Sequence, residues 1–190
     1  MVFIIIAVIA LLIGADQLFK FLAVKYLQGQ GPKDFIKFGD FDVLGLSYCE
    51  NRGAAFSSFS GQKWLLIGLT GIMIIAISVY LIRMKERHPL AVTSLTMVIA
   101  GGIGNLIDRI RIGYVVDYFE VRMFRFAIFN FADILVVCGV ILYLVYMLFI
   151  EGRGKADKNA SESGDSSDGN ASISSRRNRG NSAYRQMGGC

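Results

Sequence analysis

The chain holds one histidine and three cysteines among its 190 residues, and only 18% of it is charged. A zinc site draws three or four ligands from His, Cys and acidic side chains. His88 alone cannot supply a His pair, so no metal is expected. A Ser-His-Asp triad would need His88 beside a nucleophile. It lies instead in the basic run Arg83–Pro89, expected on the face opposite the carboxylates discussed below. Cys49, Cys138 and Cys190 fall in unlike segments and make no disulfide framework. Cys49 and Cys138 read as packing residues. The +5 net charge is modest and no basic stripe is interleaved with aromatics, so no nucleic-acid partner is expected. What the chain has in abundance is apolar side chain. At 54% hydrophobic and a mean hydropathy of +0.50 it is too apolar for an ordinary soluble domain and reads as a membrane protein.

Four apolar segments are long enough to cross about 30 Å of hydrocarbon. The first runs from about residue 2 to 27. A cleaved signal peptide is the alternative, but the run lacks a positive n-region and an A-x-A site and continues past Asp16. The second covers 64–82 without a charge, with Trp64 placed as an interfacial anchor. The third covers 90–107, with Pro89 in its first turn and Gly101, Gly102 and Gly104 suiting close helix packing. The fourth covers 131–150, where Asn130 can cap the helix and Asp133 stands at its third position. The expected class is therefore mainly α, a polytopic membrane protein of four transmembrane helices. Alternation in residues 34–48 predicts a small sheet at the membrane surface. The intervening loops are 28–63 and 108–130. Residues 151–190 are rich in Ser, Gly, Asn and charge and are expected to be a disordered tail. It has no role, or a weak one in which Arg176, Arg177 and Arg179 meet anionic headgroups of membrane lipids.

Arg83, Lys85 and Arg87 mark the loop between the second and third spans as cytoplasmic. Both termini are then cytoplasmic too. That orientation brings Asp16, Lys20, Asn51, Asn105, Asp108, Arg109, Asp117, Asn130 and Asp133 to one outer face, from five separate places in the sequence. Ionisable groups in membrane segments are costly, and a cluster of them marks a functional site. Asp16 and Lys20, four residues apart, share a helix face and can pair. Their bland reading is an ion pair hidden from lipid; the functional reading is that they frame the site.

Two carboxyls close together in a low-dielectric site share one proton, which makes a water-activating pair. Asp117, in the apolar run Tyr114–Phe119, and Asp133 are the candidates. Which of them carries the proton stays open, because such a pair titrates as a unit. Asp108 is a weaker third candidate that can simply pair with Arg109 or cap its helix. Asn51, Asn105, Arg109 and Asn130 can hold substrate oxygens. The plain alternative for Asp133 is a capping carboxylate at a helix N-terminus. Two rival functions remain at this level. A small proton-coupled transporter could use Asp117 and Asp133, although such sites lie nearer the midplane and within repeated halves. A scaffold whose aspartates only cap helices is the other.

The ordered set Asp16-Gln17 with Lys20, Asn51 through Ser57, Gly104 through Arg109, Val115 through Tyr118 and Phe129 through Asp133 closely resembles lipoprotein signal peptidase, the bacterial type II signal peptidase. The resemblance spans about residues 5–150. It implies an aspartic endopeptidase of the bacterial inner membrane with its active site toward the periplasmic face. Such an enzyme removes signal peptides from diacylglyceryl-modified prolipoproteins, cutting just before the lipidated cysteine. It implies catalytic roles for Asp117 and Asp133, and binding or supporting roles for Asp16, Lys20, Asn51, Gly53, Asn105, Arg109, Asn130 and Ala132. It also implies four helices with an extracytoplasmic β-cradle, sensitivity to the cyclic peptide globomycin, and no metal. No cofactor is expected, and a monomer is. Arg52 stands where many members carry a small or polar residue. The interval from Asp117 to Asp133 is slightly short for the family. The tail after Ile150 lies outside the resemblance.

Overall fold

A computed structural model describes residues 2–39, 41–53, 62–85, 87–123 and 127–151. The tail from 152 onward, residues 54–57 of the Asn51 run and Arg125 lie outside the described residues. Four helices carry the chain: α1 (Val2–Leu27), α2 (Lys63–Arg83), α3 (Pro89–Arg111) and α4 (Phe131–Tyr146), the last continuing as a π-helical turn, Met147–Glu151. Three strands form one antiparallel sheet in sequence order: β1 (Lys33–Phe38), β2 (Phe41–Asn51) and β3 (Val115–Val121). Compact packing divides the chain into two units, residues 1–144 and 145–190. Everything described below belongs to the first.

All four helices are long and apolar enough to span a membrane, which makes this a multi-pass membrane protein. They differ in how much they bury. Half of the apolar window of α3 is buried, against 6% for α1 and 11% for α2. Helix α3 is therefore the central post, and the others present Phe3, Ile72, Ile82 and Val137 outward where lipid covers them.

Small residues set the approach of α3 to α4. A side chain at Gly101 would collide with the Ala132 carbonyl, and one at Gly139 with the Ser94 carbonyl. These two contacts place the helices antiparallel at close range, the small-residue packing that lets backbones touch without a hydrophobic driving force. Leu81, Leu95 and Ile99 form a buried apolar cluster with Ile5, Ile9 and Tyr143 around it. There Tyr80 and Tyr143 meet edge to face, and their hydroxyls bond at 2.7 Å.

Local chemistry explains the helix ends. Pro89 opens α3, where its missing N–H costs nothing, and His88 Nδ1 accepts the Leu90 N–H at 3.2 Å. Helix α3 runs four residues beyond its expected end at Ile107, because nothing stops it before Gly113. The Ile112 and Gly113 N–H groups both bond the Asp108 carbonyl, and Gly113 takes the left-handed φ of 89° that turns the chain into β3. Asp108 and Arg109 are therefore helical residues and not part of the following loop.

The sheet sits against the same end of the bundle. Ala23 and Leu27 of α1 pack with Val116 and Tyr118 of β3 in a second buried cluster. Strand β2 loses its regular register between Leu46 and Cys49 and then pairs Cys49 with Asp117 and Asn51 with Val115. On the other edge of β3, Phe129 exchanges both backbone bonds with Phe119, at 2.8 and 3.0 Å. That bridge delivers Asn130 and the start of α4 beside Asp117.

Candidate active site

The first turn of α4 is held by three elements. Asp133 N–H donates to Asn130 Oδ1 at 3.0 Å, and Asn130 N–H donates to Asp133 Oδ2 at 3.1 Å, a reciprocal capping box. The Phe131 N–H donates to the Tyr118 hydroxyl of β3 at 3.2 Å. The Ala132 N–H donates to Asp16 Oδ1 of α1 at 3.1 Å. Each of these amides, free of helical partners by position, is thus taken by a side chain. Asp133 does cap its helix, as its plain reading anticipated. Its Oδ1 does something more: it accepts Asn105 Nδ2 at 2.8 Å.

Asp117 comes from the sheet and is buried. Its Oδ2 accepts Asn51 Nδ2 at 3.0 Å, and its Oδ1 accepts Asn130 Nδ2 at 2.6 Å. Removal from water pushes the Asp117 carboxyl up from 3.8 to about 6, and the charge of Asp133 pushes the same way. The Asn51 and Asn130 amides and the Lys20 charge act in the opposite direction. Asn130 therefore touches both aspartates. So does the wider network, since Asn130 Nδ2 also donates to Asn105 Oδ1 at 3.2 Å.

Lys20 anchors the far side. It is buried and lies 3.0 Å from Asp16 Oδ2, 3.0 Å from Asp108 Oδ2 and 2.9 Å from Asn105 Oδ1. The Asp16–Lys20 pair forms as the spacing predicts. Asp108 does not pair with Arg109 as its sequence neighbour suggested; it takes Lys20, the Val116 N–H at 3.3 Å and Gln17 Nε2 at 3.1 Å. Adjacent helical residues diverge by about 100°, so Asp108 faces α1 while Arg109 faces the β2 side. Arg109 Nη2 donates to the Gly53 carbonyl at 2.9 Å, and the Gly53 N–H donates to Asn51 Oδ1 at 3.0 Å. The buried Arg109 Nε has no partner among the described residues. Gly104 completes the packing, because a side chain there would strike the Asp16 carboxylate.

The ten residues expected in catalytic, binding or supporting roles thus meet in one connected network. Asp108, the weaker third candidate, joins them, as do Gln17 and Tyr118. Gln17 bonds Asp16, the Gly104 carbonyl and Asp108. Its place in the Asp16-to-Lys20 run was visible, but an uncharged amide carried no signal of burial. Tyr118 was visible only as part of an apolar run. The β-branched and aromatic make-up of residues 115–121, bounded by Gly113, was the available sign that this run is a strand.

A family model described as signal peptidase (SPase) II matches residues 8–149. This chain belongs to the signal peptidase II family. Lipoprotein signal peptidase of Clostridioides difficile strain 630 is 35% identical to it over 150 residues, covering 79% of this chain and 98% of that protein. Lipoprotein signal peptidase of Lactococcus lactis subsp. lactis strain IL1403 is 42% identical over 137 residues, covering 72% and 87%. A bacterial membrane enzyme solved by the in meso method superposes with a TM-score of 0.69 at 27% identity, over 76% of this chain and 87% of that one. The signal peptidase II match contains every polar group of the network, and the tail lies beyond it.

Proposed function

We propose that this chain is a bacterial protease that removes signal peptides from diacylglyceryl-modified prolipoproteins, cutting just before the lipidated cysteine with Asp117 and Asp133. Family membership supports the processing of lipoprotein signal peptides. The observation that carries the aspartic reading is Asn130, whose side chain and backbone hold one aspartate each, Asp117 on a strand and Asp133 on a helix.

Asp117 keeps its proton up to about pH 6 because it is buried beside a second carboxylate. In the reacting pair the protonated Asp117 donates to the scissile carbonyl oxygen, and the Asp133 carboxylate takes a proton from water. The water oxygen bonds the carbonyl carbon. The tetrahedral gem-diol then collapses: the C–N bond breaks, the departing amine takes the proton that Asp133 received, and one hydroxyl of the intermediate returns its proton to Asp117 as the new carboxyl group forms. Arg109, Asn51 and Gly53 line the strand side, where substrate backbone passes. Activity therefore falls as pH rises through the ionisation of Asp117.

A proton-coupled transporter is the weaker reading, since the polar groups gather at one end of the bundle against an extramembrane sheet. In this account the protein is a monomer of the inner membrane with both termini in the cytoplasm and the site toward the periplasm. Globomycin inhibits it, and the membrane domain of 1–150 carries the activity without the 151–190 tail. The test is to incubate the purified protein with a prolipoprotein carrying the diacylglyceryl group and with its unlipidated counterpart. Mass spectrometry should find the lipidated cysteine at the new N-terminus of the first only. Cleavage of both, or of neither, contradicts the proposal.

A further inference from the structure

The polarity of the two bridging amides is fixed by groups that cannot accept a hydrogen bond. A lysine ammonium has only donors to offer. Lys20 Nζ at 2.9 Å from the Asn105 side chain therefore demands the amide oxygen, which leaves Asn105 Nδ2 directed at Asp133 Oδ1, 2.8 Å away. The Asp133 backbone N–H imposes the same rule on Asn130: it takes Asn130 Oδ1 at 3.0 Å, which turns Asn130 Nδ2 onto Asp117 at 2.6 Å and onto Asn105 Oδ1 at 3.2 Å. A flipped Asn105 would set nitrogen against ammonium and oxygen against carboxylate. Lys20 is itself held at 3.0 Å by Asp16 on its own helix and by Asp108 on α3, so its ammonium has one position.

We propose that Lys20 is a positioning residue of the proteolytic reaction, locking the Asn105 amide with its nitrogen on Asp133 so that α1 dictates how the water-activating carboxylate is held. This rests on the aspartic reading above and adds a separate claim. Lys20 is buried, with its ammonium on Asp16, Asp108 and Asn105, and it acts through Asn105. The other charged or titratable groups around the two aspartates are Asp16 on α1, Cys49 and Glu50 on β2, Asp108 and Arg109 on α3 and Tyr118 on β3. None of them bonds the Asn105 side chain among the described residues.

The test is a double-mutant cycle on cleavage of the lipidated substrate, with Lys20→Met and Asn105→Ala made singly and together. Each single change should lower kcat by about tenfold, the worth of one hydrogen bond to a charged group. The double variant should be no slower than either single one, because both remove the same link. A double variant slowed by the product of the two losses overturns the proposal, since it would mean that Lys20 acts independently of Asn105. Lys20→Met leaves Asp16 and Asp108 buried without their cation, so it can fail to fold. Asn105→Asp tests the same link with the lysine intact. It keeps an acceptor for Lys20 and replaces the donor on Asp133 with a second carboxylate oxygen. It should lose activity at neutral pH and shift the falling limb of the rate profile to higher pH. A profile unchanged from the normal chain overturns the proposal. Should a folded Asp117→Asn or Asp133→Asn variant still cut at the normal rate, the aspartic reading fails and this proposal falls with it, whereas a multiplicative cycle with both Asp variants inactive overturns the proposal alone.

Discussion

Asn130 Nδ2 lies 2.6 Å from Asp117 Oδ1, and the same residue's backbone N–H lies 3.1 Å from Asp133 Oδ2. One asparagine therefore fixes the two carboxylates relative to each other and closes the N-terminus of α4. Replacing Asn130 with Ala keeps the backbone bond to Asp133 but removes the charge-assisted side-chain bond to Asp117, and should lower the cleavage rate by at least about tenfold. The lost cap should lower stability by only about 1 kcal/mol. Initial rates and thermal unfolding of the same preparation separate the two effects. A rate within a few-fold of normal would mean that the dyad holds itself.

Burial of Asp117 makes stability depend on pH with a definite sign. Its carboxyl ionises at about 6 in the folded chain against an ordinary 3.8, so the fold favours the protonated form. That contribution is complete below about pH 3.8 and is lost as pH rises through about 6. Asp117→Asn cannot titrate and does not lose it. The melting temperature of the variant relative to the normal chain should therefore rise between about pH 4 and about pH 7.5. A constant difference across that range would contradict the burial of Asp117 as a charge.

Asn51 holds the ionised form of Asp117 through its 3.0 Å bond. Asn51→Ala removes a donor from the carboxylate, which favours the protonated state. The falling limb of the activity profile should then move to higher pH, as read from rates at saturating and limiting substrate. Movement to lower pH would show that Asn51 does not stabilise the charge.

Gly104 has no room for a methyl group, because its side chain would enter the Asp16 carboxylate that holds Ala132. Gly104→Ala should cost about 1–3 kcal/mol of stability by overpacking, and it should also reduce activity by displacing the start of α4. Gly14, with open space around it, is the control: Gly14→Ala should leave both unchanged or improve stability slightly. Equal effects at the two glycines would contradict the packing account.

The helices and the membership of the site were legible in the sequence because both rest on one-dimensional signals. Long apolar runs marked the four spans, and costly polar groups within them marked Asp16, Lys20 and Asn105. The Asn130–Asp133 capping box was visible too, since its two residues are three apart in the chain. What stayed hidden depends on which way a side chain faces. Asp108 and Arg109 are neighbours in sequence, yet the helix carries one to Lys20 and the other to Gly53. The end of α3 was placed short because Gly113, and not the first charged residue, stops it. Strand β3 was concealed by its position between two spans, where an apolar stretch reads as loop or helix edge. Its register opposite Cys49 and the Phe119–Phe129 bridge are long-range facts with no local pattern.

The central claim is that Asp117 and Asp133 are the reacting groups. The most direct measurement follows cleavage of a diacylglyceryl-modified prolipoprotein by the normal chain, Asp117→Asn and Asp133→Asn, with folding of each variant verified by thermal unfolding. The account predicts that the normal chain cuts and that both folded variants are inactive. A folded variant that cuts at the normal rate would make its aspartate a cap or a packing residue and would contradict the dyad.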